Sequence, residues 1–159
     1  MLRSLVTMNG CFDDTGRQEL NAMVDPFATA LVYRAQARHH LCIGMETTHG
    51  CSLTVQQVRQ HFLSPELKLV CRMADDWLDS PSDFCLNDTV AAVVAVNPHL
   101  CDWESGHVSV PVGDANEPVR TELTPMQRGP HRIARNLDIA GVQKELLTTF
   151  RPQPQRLAV

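Results

Sequence analysis

Short apolar runs alternate along this chain with longer stretches that are apolar on one face only. Residues 2–8, 40–45 and 133–137 are apolar enough to predict buried strands. Residues 26–37 repeat apolar side chains at helical spacing, with Asp25 as the expected N-cap and Pro26 in the first turn. Strands that alternate with helices predict the α/β class, here a Rossmann-like open sheet with flanking helices.

The remaining elements follow from caps and turns. Thr54 is expected to cap a helix over residues 55–62, and Asp138 a last helix that ends near Phe150. Other predicted segments are a helix over residues 65–78, a pair of extended segments at 108–112 and 119–123, and a turn at Gly113 and Asp114. We predict one domain over residues 1–150 and a frayed tail over 151–159.

Length and charge bound the class of protein. The 159 residues are 43% hydrophobic and 20% charged, which is typical of a globular domain with a sizeable core. The net charge of -4, without a basic cluster, argues against a nucleic-acid partner. No segment is apolar over the length of a membrane span, and the N-terminus lacks signal-peptide features, so we predict a cytoplasmic protein without a membrane partner.

Six cysteines are spread at irregular spacings, without a CxxC pair. Several of them lie inside apolar runs, where a free thiol packs as a small hydrophobic side chain. We interpret them as structural thiols. A zinc or thiol enzyme built on them is a remote third possibility.

Asp88 stands at the start of a small-residue apolar helix that ends before Pro98. A carboxylate there can cap the helix, or it can present oxygens to a cation or a sugar hydroxyl. Glu19 and Asn21 lie in the polar segment after the first strand, where open α/β sheets bind their ligands. From the residues alone, these side chains can serve either the fold or a binding site. The structural interpretation, in which Asp88 caps its helix and Glu19 and Asn21 lie in a solvated loop, is the commoner one.

Four landmarks in order resemble the inosine–uridine-preferring nucleoside hydrolase family. Met8-Asn9-Gly10-Cys11 resembles the family's Met-Gly-Gly turn, and Glu19-Leu20-Asn21 with Asp25-Pro26 resembles its Glu-Phe-Asn…Asp-Pro-Glu-Ala segment. Gly44 to His49 resembles its Gly-Leu-Asp-Val-Thr-His segment, and Asn87-Asp88 with the following residues resembles its His-Asp-Pro-Leu-Ala-Val-Ala segment. Residues 132–150 resemble the closing strand and helix. The family's N-terminal DxDxGxDD motif is absent, so the resemblance implies a truncated nucleoside hydrolase fold, its C-terminal part only.

The resemblance implies hydrolysis of the N-glycosidic bond of ribonucleosides with Ca²⁺ as cofactor. Asp88 matches a ligand of calcium and ribose, Glu19 and Asn21 match residues that grip the ribose hydroxyls, and Asp13 falls at a further ribose contact that is Asn in the family. Asn87 replaces the His that protonates the leaving base in several members, and an amide cannot deliver a proton as imidazolium can.

One carboxylate cannot hold calcium firmly, because this cation takes six to eight oxygen ligands. We therefore predict little or no nucleosidase activity for this chain alone. The leading interpretation is a family protein whose chemistry belongs to a longer or complemented enzyme, and the alternative is a non-catalytic relic or binding module that keeps part of the ribose pocket. An uncovered sheet edge further predicts association with itself or with a complementing chain.

Overall fold

A computed structural model describes residues 2–73, 83–113 and 119–150. In chain order its elements are β1 (Leu5–Met8), α1 (Leu20–Val24), α2 (Pro26–Tyr33), β2 (His40–Ile43), α3 (Met45–Thr48), β3 (Ser52–Leu53), α4 (Val55–His61), α5 (Pro65–Met73), β4 (Phe84–Cys85), α6 (Asn87–Val96), a 3-10 turn (Pro98–Leu100), β5 (Asp102–Ser109), β6 (Glu122–Pro125), β7 (His131–Arg135) and α7 (Ile139–Thr149). The α/β class expected from the sequence is confirmed.

Contacts divide the chain into two compact units. The first unit comprises Met1–His49 and Asn87–Asp138, and the second comprises Gly50–Leu86 and Ile139–Val159. The single domain over residues 1–150 therefore stays a prediction. None of the helices among the described residues is long and apolar enough to cross a membrane.

The first unit is built on a five-stranded open sheet in the order β1-β2-β7-β5-β6. Strands β1, β2 and β7 run parallel, with Cys42 opposite both Thr7 and Ile133, whereas β5 is antiparallel to β7 and β6. All four residues of β2 are buried, and so is Ile133, which places the centre of the core at these strands. This topology confirms the expected Rossmann-like open sheet.

The structure shortens the predicted first strand and lengthens a later one. Strand β1 begins at Leu5 rather than at residue 2 and is only partly buried, because it lies at the sheet edge with β2 as its one neighbour. Of the segment predicted at residues 108–112, only Val108 and Ser109 belong to a strand, and they are the end of β5, which begins at Asp102 and aligns Val108 with Leu123 of β6. The polar first half of β5 is held extended by backbone pairing to β7.

The predicted helix starts agree with local capping. The Asp25 carboxylate accepts a hydrogen bond from the backbone N–H of Ala28 at 2.8 Å. In the second unit, Thr54 and Gln57 form a reciprocal capping box at the start of α4. Helix α6 begins at Asn87, one residue before the predicted start. The turn at Asp114, the helix end at residue 78 and the tail over 151–159 lie outside the described residues.

Each unit has its own apolar interior. Helix α2 contributes Ala30 and Tyr33 to the core of the first unit, whose buried members also include Phe12, Cys42, Val108, Val110 and Ile133. In the second unit, the rings of Phe62 and Phe84 pack edge to face with centroids 6.3 Å apart.

Cys11, Cys42, Cys51 and Cys101 are buried, as expected for structural thiols, whereas Cys85 is exposed. Burial raises the pKa of the Cys42 thiol to about 12.

Two histidines lie side by side in the core of the first unit. His131 accepts the Val108 N–H at Nδ1 and makes a 2.9 Å contact from Nε2 to the carbonyl of Tyr33, so its neutral Nε2–H tautomer satisfies both partners. His40 meets Thr7 Oγ1 at 3.3 Å through Nε2, but its buried Nδ1 has no partner within the described chain. Burial, and secondly the nearby His131, lower the pKa of His40 to about 4.

This buried imidazole makes the fold sensitive to acid. Unfolded chain takes up a proton at His40 near pH 6.5, whereas the folded chain resists protonation until about pH 4, so stability is lost as the pH falls through this window. We expect His40→Gln to reduce the acid-induced loss in the free energy of unfolding by about 2 kcal/mol. Urea titrations between pH 7.5 and 4 measure the free energy of unfolding, and His39→Gln, the same substitution at an exposed histidine, is the control. An unchanged pH dependence in His40→Gln would contradict the assignment.

Candidate functional site

The segment after β1 forms a tight turn at Gly10. Gly10 has φ +84°, in the left-handed region that favours glycine, and a Cβ there would meet the Thr121 side chain at 2.7 Å. The Thr121 hydroxyl accepts the N–H of Cys11 and donates to its carbonyl, both at 2.9 Å. The turn is thereby fastened to the residue that precedes β6.

Glu19 closes the segment that begins at this turn. Its side chain is buried and caps α1 by accepting the N–H of Asn21 at Oε1 (2.9 Å) and that of Ala22 at Oε2 (3.0 Å). The same Oε2 accepts the N–H of Gly10 at 3.0 Å. Three backbone donors thus hold one carboxylate, and the start of α1 is tied to the carboxyl end of β1.

Asn21 is the exposed neighbour of this buried carboxylate. Its Nδ2 donates to the carbonyl of Met8, the last residue of β1, at 3.1 Å. Its Oδ1 has no hydrogen-bond partner in the described part of the chain and remains available as an acceptor. The structure therefore brings Glu19 and Asn21 together at the strand edge where the sequence predicts a site.

Asp13 is engaged within its own loop. It accepts the N–H and the hydroxyl of Thr15, and it pairs with Arg17 at 2.6 Å. Hydrogen bonds from Thr15 first, and from Arg17 second, hold the pKa of the Asp13 carboxyl well below its usual range. Asp13 lines a cavity of about 720 Å³ whose wall includes neither Glu19 nor Asn21.

Asn87 and Asp88 form the exposed first turn of α6. The helix buries Val90 and Val94 and packs against β1 and β2. Neither Asn87 nor Asp88 has a hydrogen-bond or ion-pair partner among the residues that the structure describes. The structure therefore gives Asp88 no direct bond to Glu19, although both belong to the first unit.

A charged network at the strand ends was missed by the sequence analysis. Arg135, at the end of β7, contacts Glu46 through Nη1 at 3.2 Å and Glu104 of β5 through Nε at 2.9 Å. It also donates to the carbonyl of Phe12 at 3.1 Å, while Glu46 accepts the N–H of Phe12 at 3.1 Å. Glu46 lies in the landmark from Gly44 to His49, but Arg135 carried no signal, since an Arg in a strand is ordinarily interpreted as a solvent-facing residue.

The described residues do not fit a calcium site. They contain no group of three or more His, Cys, Asp or Glu side chains placed to hold a metal ion. Glu19 is bonded to backbone N–H groups, Glu46 and Glu104 are paired with Arg135, and Asp88 has no partner within the described ranges of the chain. Of these four described carboxylates, that of Asp88 is the one left for a hard cation, which takes six to eight oxygens.

The fold and this edge define an open-sheet α/β protein with a carboxylate and an amide at the carboxyl end of its first strand. The sequence model described as "Inosine-uridine preferring nucleoside hydrolase" matches residues 1–144, and the chain belongs to that family. This confirms the resemblance drawn from the four landmarks. No curated protein matches the chain.

Three solved structures share the fold. A plant nucleoside hydrolase, the PpNRh1 enzyme, is 21% identical with a TM-score of 0.69, over 94% of this chain and 54% of that chain. An inosine-guanosine nucleoside hydrolase is 17% identical with a TM-score of 0.75, over 91% and 51%. A purine-preferring ribonucleoside hydrolase from Gardnerella vaginalis is 22% identical with a TM-score of 0.76, over 92% and 51%. The chain spans about half the length of these structures.

The hydrogen bonds from backbone N–H groups to the Glu19 carboxylate can be tested through the stability of the fold. Glu19→Gln keeps the size of the side chain but replaces one acceptor oxygen by an NH₂ group, which cannot accept a backbone N–H. We expect the free energy of unfolding to fall by about 2 kcal/mol, because a buried donor is left without a partner. Urea denaturation measures the change, and exposed Glu145→Gln is the matched control. Equal, small effects of both substitutions would show that the Glu19 carboxylate does not stabilise the fold through these hydrogen bonds.

Proposed function

We propose that this chain takes part in the hydrolysis of ribonucleosides by holding the ribose. The observation that carries the proposal is the pairing of Glu19 and Asn21, which are bonded to Gly10 and Met8 at the carboxyl end of β1. Ligands of open α/β sheets bind beyond this edge. Membership of the nucleoside hydrolase family supports the same substrate class.

The two side chains would act differently on the sugar. Asn21 has a free amide oxygen that can accept a hydrogen bond from a ribose hydroxyl. Glu19 has one unused acceptor position on Oε1, but its side chain is only 4% exposed. Because it is buried, Glu19 would act on the sugar indirectly, by capping α1 and so positioning Asn21.

Asp88 and Asn87 would complete the site only in part. Asp88 would support the ribose or a cation, as the family resemblance implies, through a carboxylate that has no partner among the residues with described positions. Asn87 can donate a hydrogen bond to the departing base, but it cannot transfer a proton to it. The proposal leaves activation of the leaving base without an acid among these residues.

The described residues contain no group of side chains placed to hold calcium, so the proposed ribose binding does not depend on a calcium ion held by them. The chain would therefore bind a ribonucleoside weakly and would not cleave it. Hydrolysis requires carboxylates from outside the described residues. We keep the cytoplasm as the expected location of this activity.

The second candidate is a non-catalytic module that keeps the sugar contact. The hydrogen bonding of Glu19 favours it, because three backbone N–H groups of the fold itself already bind this carboxylate. A residue that serves only the fold need not be replaced when catalysis is lost. This candidate predicts that no addition of metal or of a second polypeptide restores cleavage.

Binding and cleavage can be measured separately. We expect inosine to bind the chain weakly, and Asn21→Ala to weaken binding about tenfold, the loss of one hydrogen bond. Saturation-transfer NMR measures binding, with the exposed Gln60→Ala as control. A reducing-sugar assay with and without calcium should detect no ribose above an Asp88→Ala control. Equal binding by the wild type and Asn21→Ala would contradict the proposed contact between Asn21 and ribose. Calcium-dependent release of ribose would contradict the predicted lack of activity.

A further inference from the structure

A cavity of about 700 Å³ opens in the first unit at the amino ends of two parallel strands. His40 begins β2 and His131 begins β7, and both line this cavity together with the last residues of the antiparallel strand β5. We call it the amino-edge cavity. The proposed ribose contact of Asn21 lies at the carboxyl end of β1, the opposite edge of the sheet. The amino-edge cavity is therefore a separate feature, and its volume is within the range of ligand pockets.

The wall of the amino-edge cavity carries a positive charge without a carboxylate. Among the described residues that line it, Arg34 has the one permanent charge, and none is Asp or Glu. Arg34 is exposed, and its guanidinium has no hydrogen-bond or ion-pair partner in the described chain. A cation that its neighbours do not neutralise attracts an anion, so the charge of this wall favours a negatively charged ligand.

Buried aromatic rings form another part of the wall. The ring of Tyr33 stacks on that of His40 with centroids 5.4 Å apart, and His40 meets His131 edge to face at 5.0 Å. Val110 and Pro130 add apolar surface. Pockets that are lined mainly by aromatic and apolar side chains, with few polar groups, bind small organic molecules. This part of the wall suits the flat face of a ring compound.

One buried polar atom of this wall has no partner. His40 is 2% exposed, and its Nδ1 makes no hydrogen bond to any described residue, whereas Nε2 contacts Thr7 Oγ1 at 3.3 Å. The Thr7 hydroxyl can donate to Nε2, which leaves the ring hydrogen on Nδ1. In contrast, both ring nitrogens of His131 are bonded within the fold. Because buried polar atoms are nearly always hydrogen-bonded, the donor at His40 points to an acceptor outside the fold.

We infer that the amino-edge cavity binds a flat organic anion, a ring compound that carries a carboxylate. The Arg34 guanidinium and the Nδ1–H of His40 bind the carboxylate oxygens, and the rings lie against the apolar part of the wall. Arg34 directly follows Tyr33, whose ring stacks on His40, so the two donors flank the same part of the cavity. This second site uses none of the residues assigned to ribose binding, so its test is independent of the proposed function.

NMR titration at pH 7.5 with 2-naphthoate, and with its neutral analogue 2-naphthamide, measures this binding. We expect a dissociation constant on the order of 0.1–1 mM for the acid and about tenfold weaker binding of the amide, since hydrogen bonds to charged groups are the stronger ones. Arg34→Gln should weaken binding of 2-naphthoate about tenfold. Arg38→Gln is the matched control, the same substitution at an exposed arginine outside the cavity wall, and should bind like the wild type.

The ring nitrogens of His40 give a second readout. In proton–nitrogen correlation spectra, saturating 2-naphthoate should shift the Nδ1 resonance of His40 and leave that of His39, an exposed histidine outside the wall, unchanged. Equal affinity for the acid and the amide, equal effects of Arg34→Gln and Arg38→Gln, or an unshifted His40 Nδ1 would overturn the inference. Asn21→Ala should bind 2-naphthoate like the wild type, so a failure of inosine to bind would contradict the ribose proposal alone.

Discussion

The three hydrogen bonds from backbone N–H groups to the Glu19 carboxylate connect the parts of the candidate site. They join the turn at Gly10, which requires a positive φ, to the first turn of α1. Without this acceptor, the N–H groups of Gly10 and Ala22 would be buried without partners, at a cost of about 1–3 kcal/mol each. The position of Asn21 depends on the same arrangement.

A second electrostatic centre closes the neighbouring strand ends. Arg135 lies between Glu46 and Glu104, and its contact with the Phe12 carbonyl extends the network to the segment after β1. One cation thus stabilises two carboxylates that would otherwise repel each other at the edge of a sheet. The cost of this arrangement for function is that neither carboxylate remains free for a metal ion.

These two centres support the distinction that we propose between family membership and activity of this chain. The chain belongs to the nucleoside hydrolase family, and its fold is shared by enzymes of that class. Yet among the described residues the carboxylates at the expected edge are bonded to backbone N–H groups or to Arg135. Binding a sugar hydroxyl through Asn21 does not by itself activate water. The proposed function is therefore binding of the ribose without cleavage by this chain alone.

The sequence by itself determined the features that depend on neighbours a few residues apart. The cap of α2 by Asp25 and the capping box of Thr54 and Gln57 involve residues three positions apart, and apolar runs located the parallel strands β1, β2 and β7. Tertiary structure alone decided the contacts between distant residues. Arg135 and Glu46 are 89 positions apart, and β5 extends back to Asp102 only because β7 supplies backbone partners. The exposure of Phe27 was likewise decided by packing, because α2 is apolar on both sides and only the sheet determines which side it buries.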